Sequence, residues 1–419
     1  MFLAKPWIMA AGAAALTSLL PALELPLGPT TMVVLPITYA FVLSLLLNIA
    51  FRRSVGHGEG DRMGQRFSAT LPFAMLPFIV LLGAVVGHNW RTVLAAGPAL
   101  ILQEIGHFGG TVLLSFPIAV WLLRLGRETV GATFSIARES SVAIIAERYG
   151  LRSPEGTGVL AIYIIGTLAG TLIFSVIASL AAGLGFFDHR ALAVSCGIGS
   201  ASMTAACAGA LGVADPANSE QILALAGASN LLSTIGGFYV ALFVTLPLVD
   251  WLYRKFGSAQ LVIHEGEAIP QTSGCPPVVA TKLDWLAMSL ASILIPAVAA
   301  KDILLALLVA TVILALSWVS VLINRLLHAK LPAIAWASVI GLAFGANPAT
   351  GSLVTTATGA FDALSLVMVP LTIAGFALGG QEARAARQVG WKLAIVSLAV
   401  FLGTFGGAAL IAQATLGLH

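Results

Sequence analysis

The sequence predicts an all-α, polytopic membrane protein, and three observations carry that prediction. Of 419 residues, 58% are hydrophobic and only 9% charged, with a mean hydropathy of +0.98, far from the usage of soluble globular chains. Apolar runs of about 17 to 25 residues, enough to cross roughly 30 Å of hydrocarbon as helix, recur along the whole sequence, and about 10 to 12 such segments are expected. No alternating ten-residue pattern of a transmembrane barrel is present, and a helix satisfies its own backbone hydrogen bonds in lipid.

The net charge of +3 is spread over interhelical loops, where it orients the chain in a bilayer and does not recruit nucleic acid. Cys196, Cys207 and Cys275 form no CxxC or Cys/His pattern. Neither a zinc site nor a disulfide framework is expected, so they read as packing residues, with no metal and no cofactor. Lys5 followed by the apolar run Trp7 to Leu20 has the look of a signal peptide, but no small-x-small site follows it, and it reads as the first transmembrane helix.

Helices are expected at Trp7 to Leu23 and Pro29 to Ala50, joined by a loop with Glu24 and no basic residue. The next loop holds Arg52, Arg53, Arg62 and Arg66, and this bias places it and the N-terminus in the cytoplasm of an inner membrane. A third helix spans Ala69 to Gly87. Apolar character then runs from Val93 to Leu123, interrupted by Gln103-Glu104-Ile105-Gly106-His107-Phe108-Gly109-Gly110, which predicts a discontinuous helix at Gly106 to Gly110. Arg124 and Arg127 before Glu128 to Glu147, and Arg148 and Arg152 after it, put both ends of that segment inside. It reads as a re-entrant hairpin carrying Ser135, Arg138, Glu139, Ser140 and Ser141.

A crossing from Gly158 to Gly183 follows, then the stretch around which the chain is organised, Cys196 to Gly212, CGIGSASMTAACAGALG. It lies at membrane depth yet consists almost wholly of Gly, Ala, Ser and Thr. Such composition suits a broken helix whose backbone faces a ligand, with Gly197, Gly199, Ser200, Ser202 and Thr204 as candidate binding groups; it also suits tight helix packing alone. Asn230 reads as helix glue. A polar linker runs from Lys255 to Lys282, and helices follow at Trp285 to Ala299, Ile303 to Leu327 and Ile334 to Phe344. A second break, GANPATG at Gly345 to Gly351, supplies Asn347 and Thr350 and leads into Ser352 to Leu378 with Asp362; the last helix is Trp391 to Ala412. Four segments result: scaffold helices 1–68, a first transport-type half 69–255, a linker 256–283 and a second half 284–419. Phe108-Gly109-Gly110 parallels Phe344-Gly345-Ala346, and Gly166-Thr167-x-x-Gly170 parallels Gly403-Thr404-x-x-Gly407, as relics of duplicated halves or as chance in glycine-rich sequence.

Charged groups at membrane depth are functional candidates by default. Glu104 and His107 share a helical face three residues apart and suit a coupling ion, Na⁺ or H⁺; Glu139 and Asp362 are further cation ligands or proton carriers, and Arg138 is the anion partner. A membrane-embedded enzyme is disfavoured. Gly199-Ser200 has no partnered base, and Glu104-x-x-His107 is not the HExxH of a zinc protease.

At Arg127–Tyr163 (RETVGATFSIARESSVAIIAERYGLRSPEGTGVLAIY), at the organising stretch and at Ile222–Tyr253 (ILALAGASNLLSTIGGFYVALFVTLPLVDWLY) the chain resembles a bacterial inner-membrane family catalogued as domain of unknown function 3100. The resemblance covers most of Gly83 to Tyr253 and implies no substrate. More loosely, the chain is similar to the bile-acid, citrate and glutamate symporter group. That resemblance implies inverted repeats, hairpins and an elevator-like transport domain on a dimerising scaffold, but transfers no site residue, because the glycine-rich breaks do not reproduce those families' motifs. The expected function is secondary active transport of a small anionic organic solute across the lipid bilayer by symport, with a homodimer as the assembly. A channel and a structural membrane subunit are the alternatives.

Overall fold

The computed structural model describes residues 5–27, 30–134, 139–150, 153–257, 280–298, 300–326, 333–360, 363–377 and 390–416. In chain order the helices are α1 (Lys5–Ser18), α2 (Pro36–Val55), α3 (His57–Ala74), α4 (Leu76–His88), α5 (Trp90–Ala95), α6 (Gly97–Pro117), α7 (Glu128–Thr133), α8 (Glu139–Arg148), α9 (Pro154–Gly183) and α10 (His189–Cys196). They continue as α11 (Ala201–Ala214), α12 (Ser219–Val240), α13 (Leu246–Phe256), α14 (Lys282–Val298), α15 (Ile303–Leu326), α16 (Ala333–Ala346), α17 (Pro348–Ala360), α18 (Ser365–Ala377) and α19 (Trp391–Thr415). Short strands Leu23–Leu27 and Thr30–Val34 pair between α1 and α2.

Gly58–His88, Gly97–Leu122, Ile303–Leu326 and Trp391–Thr415 are each long and apolar enough to cross a membrane. Two bent pairs, Pro154–Thr167 with Ala169–Gly183 (69°) and Ala333–Ala346 with Pro348–Val354 (106°), bring the number among the described residues to six. The polarity of α6 is inverted relative to a helix in water. Its exposed face carries Ile101, Ile105 and Leu113, and its buried face Gln103, His107, Thr111 and Ser115. That arrangement fits a helix solvated by lipid with polar groups turned inward. The protein is an all-α, multi-pass membrane protein.

Local sequence sets the helix starts. Ser153 accepts the Gly156 N–H at 3.0 Å ahead of Pro154 at the first helical position, and Asp188 accepts the Arg190 N–H at 2.8 Å to start α10. Thr281 and Asp284 cap reciprocally, with Thr281 N–H donating to Asp284 at 2.7 Å. Side-chain caps of this kind satisfy N–H groups that a helix start leaves without partners.

The chain forms two compact units: Met1–Leu25, Val33–Val93 and Gly274–Gln381 make up unit 1, and Pro26–Met32, Leu94–Ser273 and Glu382–His419 unit 2. In unit 1, α4 and α16 meet backbone to backbone, so that a Cβ on Gly87 or Gly341 would strike the Leu342 or Val80 carbonyl. The arginine loop expected around Arg52 to Arg66 shrinks to a turn at Gly56, whose φ of +84° suits glycine. Arg62 and Arg66 are helical instead. The reason for Arg66 lies far along the chain, in the buried Asp284. Its carboxylate accepts Trp7 Nε1–H at 2.8 Å and lies 3.5 Å from Arg66 Nε.

In unit 2 the discontinuous helix expected at Gly106 to Gly110 is instead continuous α-helix within α6. Those glycines pack against α19. A Cβ on Gly106 would run into the Gly407 carbonyl, and one on Gly110 into the Gly403 carbonyl, the small-x-x-x-small contact of membrane helices. Alongside lies an apolar core of Phe108, Val112, Phe116, Phe134, Ile145 and Leu246.

Candidate functional site

The break expected in the organising stretch is present. α10 ends at Cys196 and α11 begins at Ala201. At Gly197, α10 presses so closely on α12 that a Cβ would meet the Ala226 carbonyl and Ser229, so only glycine fits. Interrupting a helix frees buried carbonyls that must find donors. Asn230 supplies them: its Nδ2 donates to Gly197 O at 3.0 Å and Gly199 O at 2.9 Å, and meets Thr204 Oγ1 at 3.0 Å. Asn230 is thus helix glue, as expected, but the element it holds is the break itself. On the other side of the break Ser200, the N-cap of α11, makes no side-chain cap bond, and its hydroxyl lies 3.2 Å from Ser202 Oγ. Both serines are half-buried.

The cysteine reading is corrected. Cys196 and Cys207 form a disulfide with Cα atoms 5.3 Å apart, joining the end of α10 to the second turn of α11; Cys275 lies outside the described residues. A spacing of eleven residues matches no motif, but the break folds α11 back beside α10. Denatured, unreduced protein should therefore take up one maleimide per chain, and reduced protein three, as read by intact mass.

Glu104 and His107 come together as the spacing implied. His107 Nδ1 lies 3.1 Å from Glu104 Oε2, and Gln103 Nε2 donates to Glu104 Oε1 at 2.8 Å. His107 is 2% exposed and stacks on Phe108 with ring centroids 4.1 Å apart. α12 connects this cluster to the break, because a Cβ on Gly237 would sit 3.5 Å from Glu104 Oε2. Asn230 and Gly237 are seven residues apart, roughly 10 Å along the helix. Asn347 and Thr350 belong to unit 1 and cap their own bend: Asn347 Oδ1 accepts the Ala349 N–H at 2.9 Å, and the Thr350 hydroxyl donates to Phe344 O. The cavity beside that bend is lined by Val80, Ala84, Leu308, Ile313, Phe344 and Val354, with no polar group to meet an anion. Arg138 and Asp362 lie outside the described residues, as does the side chain of Glu139 in α8.

Two charged clusters in unit 2 escaped the sequence reading. At one, Arg127 bridges Glu155 (Nε to Oε1, 2.5 Å) and Asp250 (Nη2 to Oδ1, 3.0 Å), tying α7, α9 and α13. Its guanidinium lies over the Tyr149 and Tyr253 rings. Burial lowers the Arg127 pKa, but the hydrogen bonds and charges of Glu155 and Asp250 outweigh it and raise the group above its ordinary value. Nothing local signals the pairing, since Glu155 and Asp250 are remote in sequence. At the other cluster, His189 Nε2 pairs with Gln221 Oε1 at 3.0 Å, and its Nδ1 lies 3.6 Å from Asp188 and 3.7 Å from Asp215. Burial pushes the Asp188 carboxyl up, but hydrogen bonds from the Arg190 N–H and guanidinium, with the charges of His189 and Arg190, hold it below the usual carboxylate range. A carboxyl depressed in the folded state contributes stability above its unfolded value, about 3.9, and loses it as pH falls through the folded value. The melting temperature should thus fall more steeply below about pH 4 in the parent than in Asp188→Asn.

No curated protein and no solved structure matches the chain. A family model, protein of unknown function DUF3100, matches residues 15–255. With more than half its length in that match, the chain belongs to the DUF3100 family.

Proposed function

We propose that the protein is a secondary active transporter of a small anionic organic solute in the inner membrane, with its N-terminus in the cytoplasm. The observation that supports this reading is the asymmetry of the break between α10 and α11. The freed carbonyls of Gly197 and Gly199 are taken by Asn230, while the first N–H groups of α11 receive no cap from Ser200. What the break offers a ligand is therefore N–H groups, the positive end of a helix dipole and the Ser200 and Ser202 hydroxyls, a set that suits a carboxylate. Glu104 and His107, along α12 from the break, serve as the ion-coupling pair, and Arg138 as a second anion contact. Unit 2 is the transport unit in an elevator-type alternating-access cycle, and unit 1, with α1, α2, α14 and α15, is the scaffold and the homodimer contact.

A thermal-shift screen of purified protein against small carboxylates and amino acids, each in NaCl or KCl, tests this reading. A ligand at 100 times its Kd stabilises by about 2.7 kcal/mol. The expected result is a carboxylate hit that Ser202→Ala weakens about tenfold, the loss of one hydrogen bond to a charged group, with no change in the unliganded melting temperature. No hit in a broad panel, together with non-saturating current in liposomes, overturns the carrier in favour of a channel.

A further inference from the structure

Gln103, His107, Thr111 and Ser115 follow one another every fourth residue down the buried face of α6, each at most 2% exposed. Thr111 and Ser115 donate to carbonyls one turn back, His107 O and Thr111 O, and Thr111 also meets Thr404 Oγ1 at 2.6 Å. The turn before them is different. Gln103 Oε1 and His107 Nε2 are buried with no hydrogen-bond partner among the described residues, while the opposite ends of the same two side chains are held by the Glu104 carboxylate. An ionised Glu104 accepts from both, so the imidazole hydrogen sits on Nδ1 and Nε2 presents a bare lone pair. Two orphan acceptors thus face the interior one helical turn apart.

We infer that the ion this turn takes is a proton, loaded on His107 Nε2; the inference rests on the carrier reading and decides its coupling ion. A proton on Nε2 converts one orphan acceptor into a donor on the same helical face as the other, Gln103 Oε1. It also sets an imidazolium against the Glu104 carboxylate. The nitrogen lone pair takes H⁺ from water and returns it, with no change in oxidation state. Na⁺ is less well served here, because the orphan pair is one neutral amide oxygen and one imidazole nitrogen, and the Glu104 carboxylate holds the opposite ends of both side chains. On the helices packed against α6, His189 and Arg190 at the start of α10 are engaged with Asp188. Glu220, Lys392 and Glu128 stand in the first turns of α12, α19 and α7, and Tyr239 on α12 is exposed. Glu104 is the acid in contact with His107.

Solid-state ¹⁵N spectra of histidine-labelled, full-length protein in lipid nanodiscs, recorded from pH 5 to 9 in KCl and then NaCl, test the assignment without a solute. The expected result is one imidazole whose Nε2 passes from bare to protonated, absent in His107→Gln. Its midpoint should be the same in both salts. A His107 that takes no proton across this range, or a midpoint that moves when Na⁺ replaces K⁺, overturns the inference. Titration of His107 in a protein that transports no solute leaves the proton site standing and removes the carrier reading instead.

Discussion

Asn230→Leu should destabilise the protein by about 2 kcal/mol, because one side chain donates two hydrogen bonds to buried backbone carbonyls and each such bond is worth roughly 1 kcal/mol net. Leucine keeps the branch of asparagine at Cγ but is bulkier, so overpacking adds to the loss. The donors disappear while Gly197 O and Gly199 O stay buried between α10, α11 and α12. Thr204 Oγ1 also loses the Asn230 donor, but its hydroxyl can still donate elsewhere, so it adds little. Asn230→Asp gives a second variant of the same shape that lacks the amide donors and brings a charge, and it should be at least as damaging. Equilibrium unfolding in nanodiscs checks the ranking, with Ser202→Ala as the near-neutral control. A melting temperature for Asn230→Leu equal to the parent's would mean that the broken helix stands without this support, and the anion site built on its orientation would lose its foundation.

The break at Gly197 to Ser200 was legible because glycine and hydroxyl residues clustered where lipid-facing helix needs neither, and the bend at Asn347 because Asn-Pro is a helix start. The same reasoning misread Gly106 to Gly110. Glycines in an apolar run permit either an unwound backbone or a close helix crossing, and the choice was made by Gly403 and Gly407, nearly three hundred residues later. Glu104 and His107 were readable as a pair because three residues of helix fix their spacing. Gln103 carries no charge and stands in the sequence only as the start of the polar interruption, yet its side chain completes the turn. Partners remote in sequence, such as Arg127 with Asp250 or Arg66 with Asp284, are invisible to periodicity, since only the assembled packing brings them within reach. The disulfide is the intermediate case: its cysteines are close in sequence, but their meeting depends on the break.

Arg127→Ala should have the other large effect, about 2–3 kcal/mol. Breaking a buried ion pair from one side typically costs 3–5 kcal/mol because the remaining charge loses its partner. The upper part of that range is discounted here, since the Arg127 side chain is 38% exposed and solvent screens part of its field. The acids differ: the Glu155 side chain is 6% and that of Asp250 8% exposed. Asp250 keeps Arg254, whose Nη2 lies 2.6 Å from Oδ2, so the cost falls mainly on Glu155. Arg127→Lys retains the charge but cannot fork between two acids, and should fall between parent and alanine variant. Arg254 is 72% exposed, and Arg254→Ala should change stability by about 0.5 kcal/mol or less. In the double variant Arg127→Met with Glu155→Gln, much of the loss should return, because no buried charge then lacks a partner. Unfolding of the four variants at one pH and ionic strength gives the order directly. Equal, small effects at Arg127 and Arg254 would make the cluster a solvated charge group, and α7, α9 and α13 would then be held by the apolar core around Phe134 and Leu246 alone.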